Sequence, residues 1–140
     1  MKTFILLTFF FFIGIDQKHL IGEWKIESFE TFEKILNSPQ FIEMDNESQI
    51  RGMSVYQLYM DNIYFKFKGD TLFFNDVKNE MIIEKIGIWY LEKDTLIIND
   101  LEKIATYKYL IDELNETKLS LKFIFPDGEV AKTGRIFKKL

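Results

Sequence analysis

Residues 118–125 read Lys-Leu-Ser-Leu-Lys-Phe-Ile-Phe. In an extended chain, Leu119, Leu121, Phe123 and Phe125 fall on one side and Lys118, Ser120 and Lys122 on the other, the signature of a half-buried strand. The period of two recurs where Ile63, Phe65 and Phe67 alternate with Tyr64, Lys66 and Lys68, and again where Tyr107, Tyr109 and Ile111 share one face of residues 105–111. Turn residues separate the runs. Gly69-Asp70 precedes residues 71–74, Lys93-Asp94 joins residues 86–91 to 95–99, and Pro126-Asp127-Gly128 leads from 118–125 into a last strand over 129–138. Residues 24–32 supply a long first strand. Turn signals roughly every 8–12 residues between short strands describe an all-β sandwich or barrel. Nothing after Asn62 leaves room for the crossover helix that parallel strands need, so the sheet is antiparallel.

One stretch resists this reading. Residues 33–60 contain Pro39 and Gly52 and show no clean alternation. Within them, residues 49–60 fit a helix with Ile50, Met53, Tyr56 (or Gln57) and Met60 near one stripe, although Gly52 costs about 1 kcal/mol relative to Ala there. A connection of this length is usually a lid, a binding loop or a mobile segment, and Met53, Tyr56, Leu58, Tyr59 and Met60 suit it to closing a barrel mouth.

The N-terminus follows a different rule. Lys2 is followed by an apolar run over residues 4–15, broken only by Thr8 and Gly14. Roughly 12 residues suit the core of a signal peptide and fall short of the ~20 that span a bilayer as a helix. Residues 1–18 therefore read as a signal peptide and 19–140 as the mature domain, secreted or periplasmic, with no membrane-spanning segment left in it. The alternatives for the run are an uncleaved anchor or a buried first strand, since no Ala-x-Ala site follows it.

Composition narrows the chemistry. The 140 residues carry a formal charge of −4, which gives no basic surplus to neutralise phosphates, so nucleic acid is not an expected partner. No Cys and a single His remove disulfides, thiolate nucleophiles and two-His metal sites, and no cofactor or metal is expected. His19 lies ahead of the first strand, where it reads as an exposed tail residue. Glu27, Glu30, Glu84 and Glu92 read as the solvent side of strands. Asp45-Asn46-Glu47 lacks the Gly and closing Glu of a calcium loop. No nucleophile elbow or phosphate loop is present, so the chain is not expected to be an enzyme.

Two short words point further. Leu20-Ile21-Gly22-Glu23-Trp24 opens the mature domain, and Gly87-Ile88-Trp89 precedes Thr95-Leu96-Ile97-Ile98. In these residues the chain resembles the exported lipocalin-like (calycin-type) β-barrel domains of bacteria, over about residues 20–140. The resemblance implies an up-and-down antiparallel barrel of about eight strands, with a long loop or short helix after the first. It also implies structural roles for Gly22, Trp24 and Gly87, with Arg135 laid over the Trp24 ring. An eight-stranded barrel has room for side chains or one small ligand. Phe65, Phe67, Trp89, Tyr107, Tyr109, Leu121 and Phe123 are expected to face that interior, and all but Leu121 are the candidate ligand contacts. The expected function is non-catalytic binding of a small hydrophobic or amphipathic ligand. The alternative is a filled barrel acting as an envelope interaction module that recognises a protein or glycan through its loops. A cavity of roughly 300 Å³ or more lined by Phe67, Trp89 and Tyr109 would favour the first.

Overall fold

The computed structural model describes residues 15–140, so the expected signal peptide lies almost wholly outside the described residues. The alternating segments form β1 (Gly22–Phe29), β2 (Tyr64–Lys68), β3 (Thr71–Lys78), β4 (Met81–Glu92), β5 (Thr95–Asp100), β6 (Thr106–Leu114), β7 (Lys118–Ile124) and β8 (Arg135–Lys139). Each pairs antiparallel with the next, and β8 returns to β1, closing an eight-stranded up-and-down barrel. The expected fold class is what the chain adopts.

Trp24 sits opposite Phe65 on β2 and Lys139 on β8, and Phe65 sits opposite Phe74 on β3. This register directs the apolar set inward. Trp24, Phe67, Leu72, Leu96, Leu119 and Phe137 are fully buried in one half of the barrel. The Phe65 and Phe137 rings stack at 4.8 Å, and Phe67 meets Trp89 edge-on at 5.0 Å, so aromatic faces fill the space between the walls. Such pairs contribute about 0.5–1.5 kcal/mol each beyond the area they bury.

That end is also closed from outside. A short helix, α1 (Gln17–Leu20), brings the fully buried Leu20 beneath the barrel, and the Trp24 indole N–H donates to the Leu20 carbonyl at 2.9 Å. Ile15, inside the expected leader, packs against the same core. Gly22 joins helix to strand at φ +130°, a conformation side chains rarely adopt. Gly87 has a different reason to be glycine. A Cβ there would lie 2.9 Å from the Asn99 carbonyl oxygen on β5, where only backbone movement can relieve the clash. Gly87→Ala is therefore expected to cost about 1–3 kcal/mol, read as a lower urea midpoint with an unchanged slope.

The stretch after β1 is helical. It forms α2 (Glu30–Leu36), α3 (Pro39–Ile42) and α4 (Asn46–Asn62), so the first strand stops at Phe29 rather than Phe32. Each later helix has a legible start. Ser38 accepts the Phe41 N–H with Pro39 at the first helical position, and Asp45 accepts the Ser48 N–H at 2.7 Å. Asp45 is thus a helix cap. The stripe expected on α4 is corrected in part: Ile50 and Met53 are 66% and 59% exposed, Tyr56 packs on Phe32 of α2, and Met60 reaches the barrel core together with Tyr59. Gly52 explains the rotation, because a Cβ there would stand 2.8 Å from the Phe41 ring. The helix presents its glycine so that the buried Phe41 can pack on it.

The last strand begins at Arg135, not Glu129. Residues 123–131 first fold back as a tight hairpin, with Phe125 and Glu129 joined by a 2.8 Å bond and the Ala131 N–H reaching the Phe123 carbonyl at 2.8 Å. Gly128 turns that hairpin at φ +89°.

Candidate functional site

Strand direction sorts the loops into two ends. The closed end carries α1 and the turns at residues 69–70, 93–94 and 115–117. The opposite end, the mouth, carries the three helices, the turn at 79–80, residues 101–105 and the 125–134 hairpin. Side chains at the mouth differ in kind from those of the closed half. There the inward alternation places charge.

Lys85 is the inward neighbour of Gly87 on β4, and its ammonium lies 2.8 Å from Asp100 Oδ2 at the end of β5. The pair is buried, with side chains 7% and 0% exposed. The Tyr107 hydroxyl completes the group: Lys85 Nζ donates to it at 3.2 Å, and it donates to Asp100 Oδ2 at 3.3 Å. Lys85 also stands 5.7 Å from the Phe74 ring centre and 5.4 Å from that of Tyr107. Burial pushes the Asp100 carboxyl up. The Lys85 ammonium and the N–H groups of Glu102 and Lys103 outweigh burial and hold its pKa down at about 2. Burial likewise disfavours the Lys85 charge, yet the bonds to Asp100 and Tyr107 prevail and raise its pKa. Both groups are ionised at neutral pH, and each satisfies the other.

Beside this pair are two spaces. A cavity of about 60 Å³ is lined by Phe65, Phe74, Asn75, Asp76, Lys85, Tyr107, Tyr109 and Arg135. A cleft of about 210 Å³ is bounded by Phe29, Leu121, Phe123, Phe125, Tyr109 and Arg135, with Thr31, Ala131, Thr133 and Gly134 at its rim. Tyr109 and Arg135 belong to both walls. The rim is stitched by backbone: the Glu30 N–H reaches the Gly134 carbonyl at 3.1 Å, and the Thr31 and Thr133 hydroxyls bond each other. Above it, Phe29, Phe32, Tyr56 and Tyr59 form an aromatic cap with ring separations of 5.4–5.8 Å. A third space lies outside the barrel, an open apolar groove of about 390 Å³ along the helices, between Phe32, Ile35, Phe41, Met44 and Val55.

The candidate contacts thus divide. Tyr109 and Phe123 line the cleft; Phe65, Tyr107 and Tyr109 line the small cavity. Phe67 and Trp89 line neither, being packed into the closed half. The Trp89 indole N–H has no hydrogen-bond partner among the described residues, and nothing in the structure explains it. Arg135 is corrected outright. Its guanidinium stands 4.6 Å from the Phe29 ring, and the cation over Trp24, at 5.2 Å, is Lys139. Register is the reason: Trp24 pairs with Lys139 and Phe29 with Arg135, so the arginine is at the mouth and the lysine at the closed end. Lys85 and Asp100 are not candidates in the sequence, because a charge within a strand reads as its solvent face; Phe29 is not one because its place at the mouth depends on where β1 ends. His19 is exposed on α1, and Glu27, Glu84 and Glu92 face solvent.

No family model and no curated protein matches the chain. Solved structures do. A lipocalin-like protein from Bacteroides uniformis superposes with a TM-score of 0.52 at 13% identity, over 87% of this chain and 99% of that one. An uncharacterized protein from Bacteroides eggerthii aligns with a TM-score of 0.49 at 11% identity, over 86% and 98% of the two chains. At 13% identity the likeness to the Bacteroides uniformis protein is one of fold, and the fold is lipocalin-like.

Proposed function

We propose that this is an exported, non-catalytic protein that binds one small amphipathic molecule at the mouth of its barrel. The observation that carries the reading is the 210 Å³ cleft, whose walls combine four apolar side chains with the polar ends of Tyr109 and Arg135. Ligand sites are concave, mostly apolar and furnished with a few convergent polar groups. The cleft falls short of the ~300 Å³ expected of a hollow barrel and is not lined by Phe67 or Trp89, so the ligand is fragment-sized and held at the mouth. It enters from the mouth, since the closed half is filled by Trp24, Phe67 and Trp89. Export rests on the apolar run over residues 4–15.

A fragment screen followed by amide NMR shifts tests the site. Shifts converging on Tyr109, Phe123, Phe125 and Gly134 are expected, and the absence of any fragment that moves them would sink the reading. Mass spectrometry of protein from host-cell fractions tests export: a chain outside the cytoplasm that has lost the apolar run over residues 4–15 is expected, and an intact Met1 in the cytosol counts against it. The second reading, an interaction module with a filled barrel, is favoured by the apolar groove along the helices. It would show a partner-induced shift pattern confined to the helices and loops, with the cleft unmoved.

A further inference from the structure

We propose that the cleft is selective for a monocarboxylate, a one-ring or short-chain carboxylic acid whose carboxylate lies against the Arg135 guanidinium and accepts a hydrogen bond from the Tyr109 hydroxyl. The proposal rests on the reading of the mouth as a ligand site and assigns the ligand's chemistry.

Charge comes first. The cleft is lined by one cation and no carboxylate. Asp76 shares the small cavity with Arg135, and its Oδ1 is engaged by the Tyr59 hydroxyl at 3.4 Å and the Val77 N–H at 2.8 Å; Glu30, at the cleft rim, accepts the Gly134 N–H at 3.3 Å and lies 3.7 Å from Lys34 Nζ. Among the described residues, ion pairs form at Lys34, Arg51, Lys85, Lys118 and Lys122, but Arg135 takes part in none. The contrast with Lys85, a few residues away across the mouth, is the informative one. There the barrel supplies a carboxylate at 2.8 Å; Arg135 has Asp76 in its cavity wall but no carboxylate within ion-pair distance among the described residues.

Geometry agrees. The guanidinium stacks on Phe29 at 4.6 Å, which covers one face and leaves its edge, where the N–H donors lie, free of protein acceptors among the described residues. A planar fork of donors matches the two oxygens of a carboxylate. The Tyr109 hydroxyl is the second, independent sign. Its side chain is only 8% exposed, lines both spaces, and meets no hydrogen-bond partner among the described residues. The hydroxyl itself is not sealed off: the buried side-chain atom without a partner among the described residues is Trp89 Nε1, so the Tyr109 oxygen opens onto the cleft, where a ligand oxygen can replace water. Burial pushes the Tyr109 hydroxyl pKa up, so it is a donor at neutral pH.

Size and charge then limit the ligand. With Phe29, Leu121, Phe123 and Phe125 around about 210 Å³, the body is a ring or a short alkyl chain and not a long fatty acyl chain. A dianion such as a phosphate monoester would leave its second charge uncompensated among apolar walls, which is costly.

Calorimetric titration of the full chain with 3-phenylpropionate, 3-phenylpropanol and phenyl phosphate tests this. The acid is expected to bind at least 10-fold more tightly than the alcohol, and more tightly than the phosphate. Arg135→Met, which keeps the apolar stem over Phe29, is expected to abolish the preference by weakening the acid far more than the alcohol. Arg135→Lys is expected to retain part of it, and Tyr109→Phe to weaken the acid more than the alcohol. Near-UV circular dichroism establishes that each variant is folded. Acid and alcohol binding equally at the mouth would overturn the carboxylate assignment and leave the site standing. Tighter binding of the phosphate would overturn it in favour of a dianion. No binding of any probe at the mouth would overturn the site and the assignment together.

Discussion

Asp100→Ala is expected to destabilise the protein by about 3–5 kcal/mol, because it strands the Lys85 ammonium in a barrel wall between the Phe74 and Tyr107 rings. The loss has two parts. One is the uncompensated buried cation. The other is the loop over residues 101–105, since Asp100 Oδ1 accepts the Glu102 N–H at 2.9 Å and the Lys103 N–H at 3.1 Å. Asp100→Asn keeps an oxygen for the loop and loses only the charge, so its cost should be smaller than that of Ala. The double variant Lys85→Met/Asp100→Leu should recover the part of the deficit due to the stranded cation but not the part due to the loop, because an apolar pair can replace a buried ion pair at little cost yet offers the Glu102 and Lys103 N–H groups no acceptor. Urea denaturation of the four proteins checks the order.

The same pair sets a pH dependence. Asp100 titrates at about 2 in the folded chain and near ~3.9 unfolded, a depressed pKa. Its contribution to stability is therefore complete above about pH 4 and is lost as pH falls through about 2. Lys85 is raised, so its contribution is present below its unfolded pKa of ~10.4 and is lost as pH rises beyond it. In Asp100→Asn, the acid-side fall between about pH 4 and 2 should flatten relative to the parent.

This pair also shows where the sequence stops being readable. Alternation revealed the strands because most inward positions are apolar, as in Leu119, Leu121 and Phe123. On β4 the inward residues are Lys85, Gly87 and Trp89, while Ile86 faces out, 38% exposed. A charge inside and an isoleucine outside invert the usual sign, so the β4 residues before Ile86 escaped detection. The turn before them was equally silent. Asn79 and Glu80 both adopt positive φ, at 52° and 60°, without the glycine that normally marks such a turn. The helices were half legible. Asp45 and Ser38 are recognisable caps in hindsight, but the rotation of α4 depends on Phe41 meeting Gly52, a tertiary contact that periodicity cannot encode. The site divides in the same way. Tyr109 and Phe123 follow from period two, whereas Arg135 required the register of β8 against β1, which no local pattern carries.

That register leads to the other large effect. Trp24→Ala is expected to cost about 3–5 kcal/mol, the range for deleting a large buried aromatic side chain. Trp24 is fully buried, holds α1 through the 2.9 Å bond from its indole to the Leu20 carbonyl, and lies beneath the Lys139 ammonium. These three roles separate by variant. Trp24→Phe keeps most of the volume but orphans the Leu20 carbonyl, so it should cost less and release α1, seen as faster amide exchange over residues 17–20. Lys139→Met removes only a partly exposed cation over the ring, about 0.5–1 kcal/mol, and should shift the tryptophan emission. Arg135→Met, at the opposite end of the barrel, should leave that emission where it is. A result in which Arg135, and not Lys139, governs Trp24 would mean that β8 pairs with β1 in another register, with Arg135 no longer beside Tyr109. The closed end and the mouth are tied by five residues of one strand, and fluorescence at one reports the placement of the other.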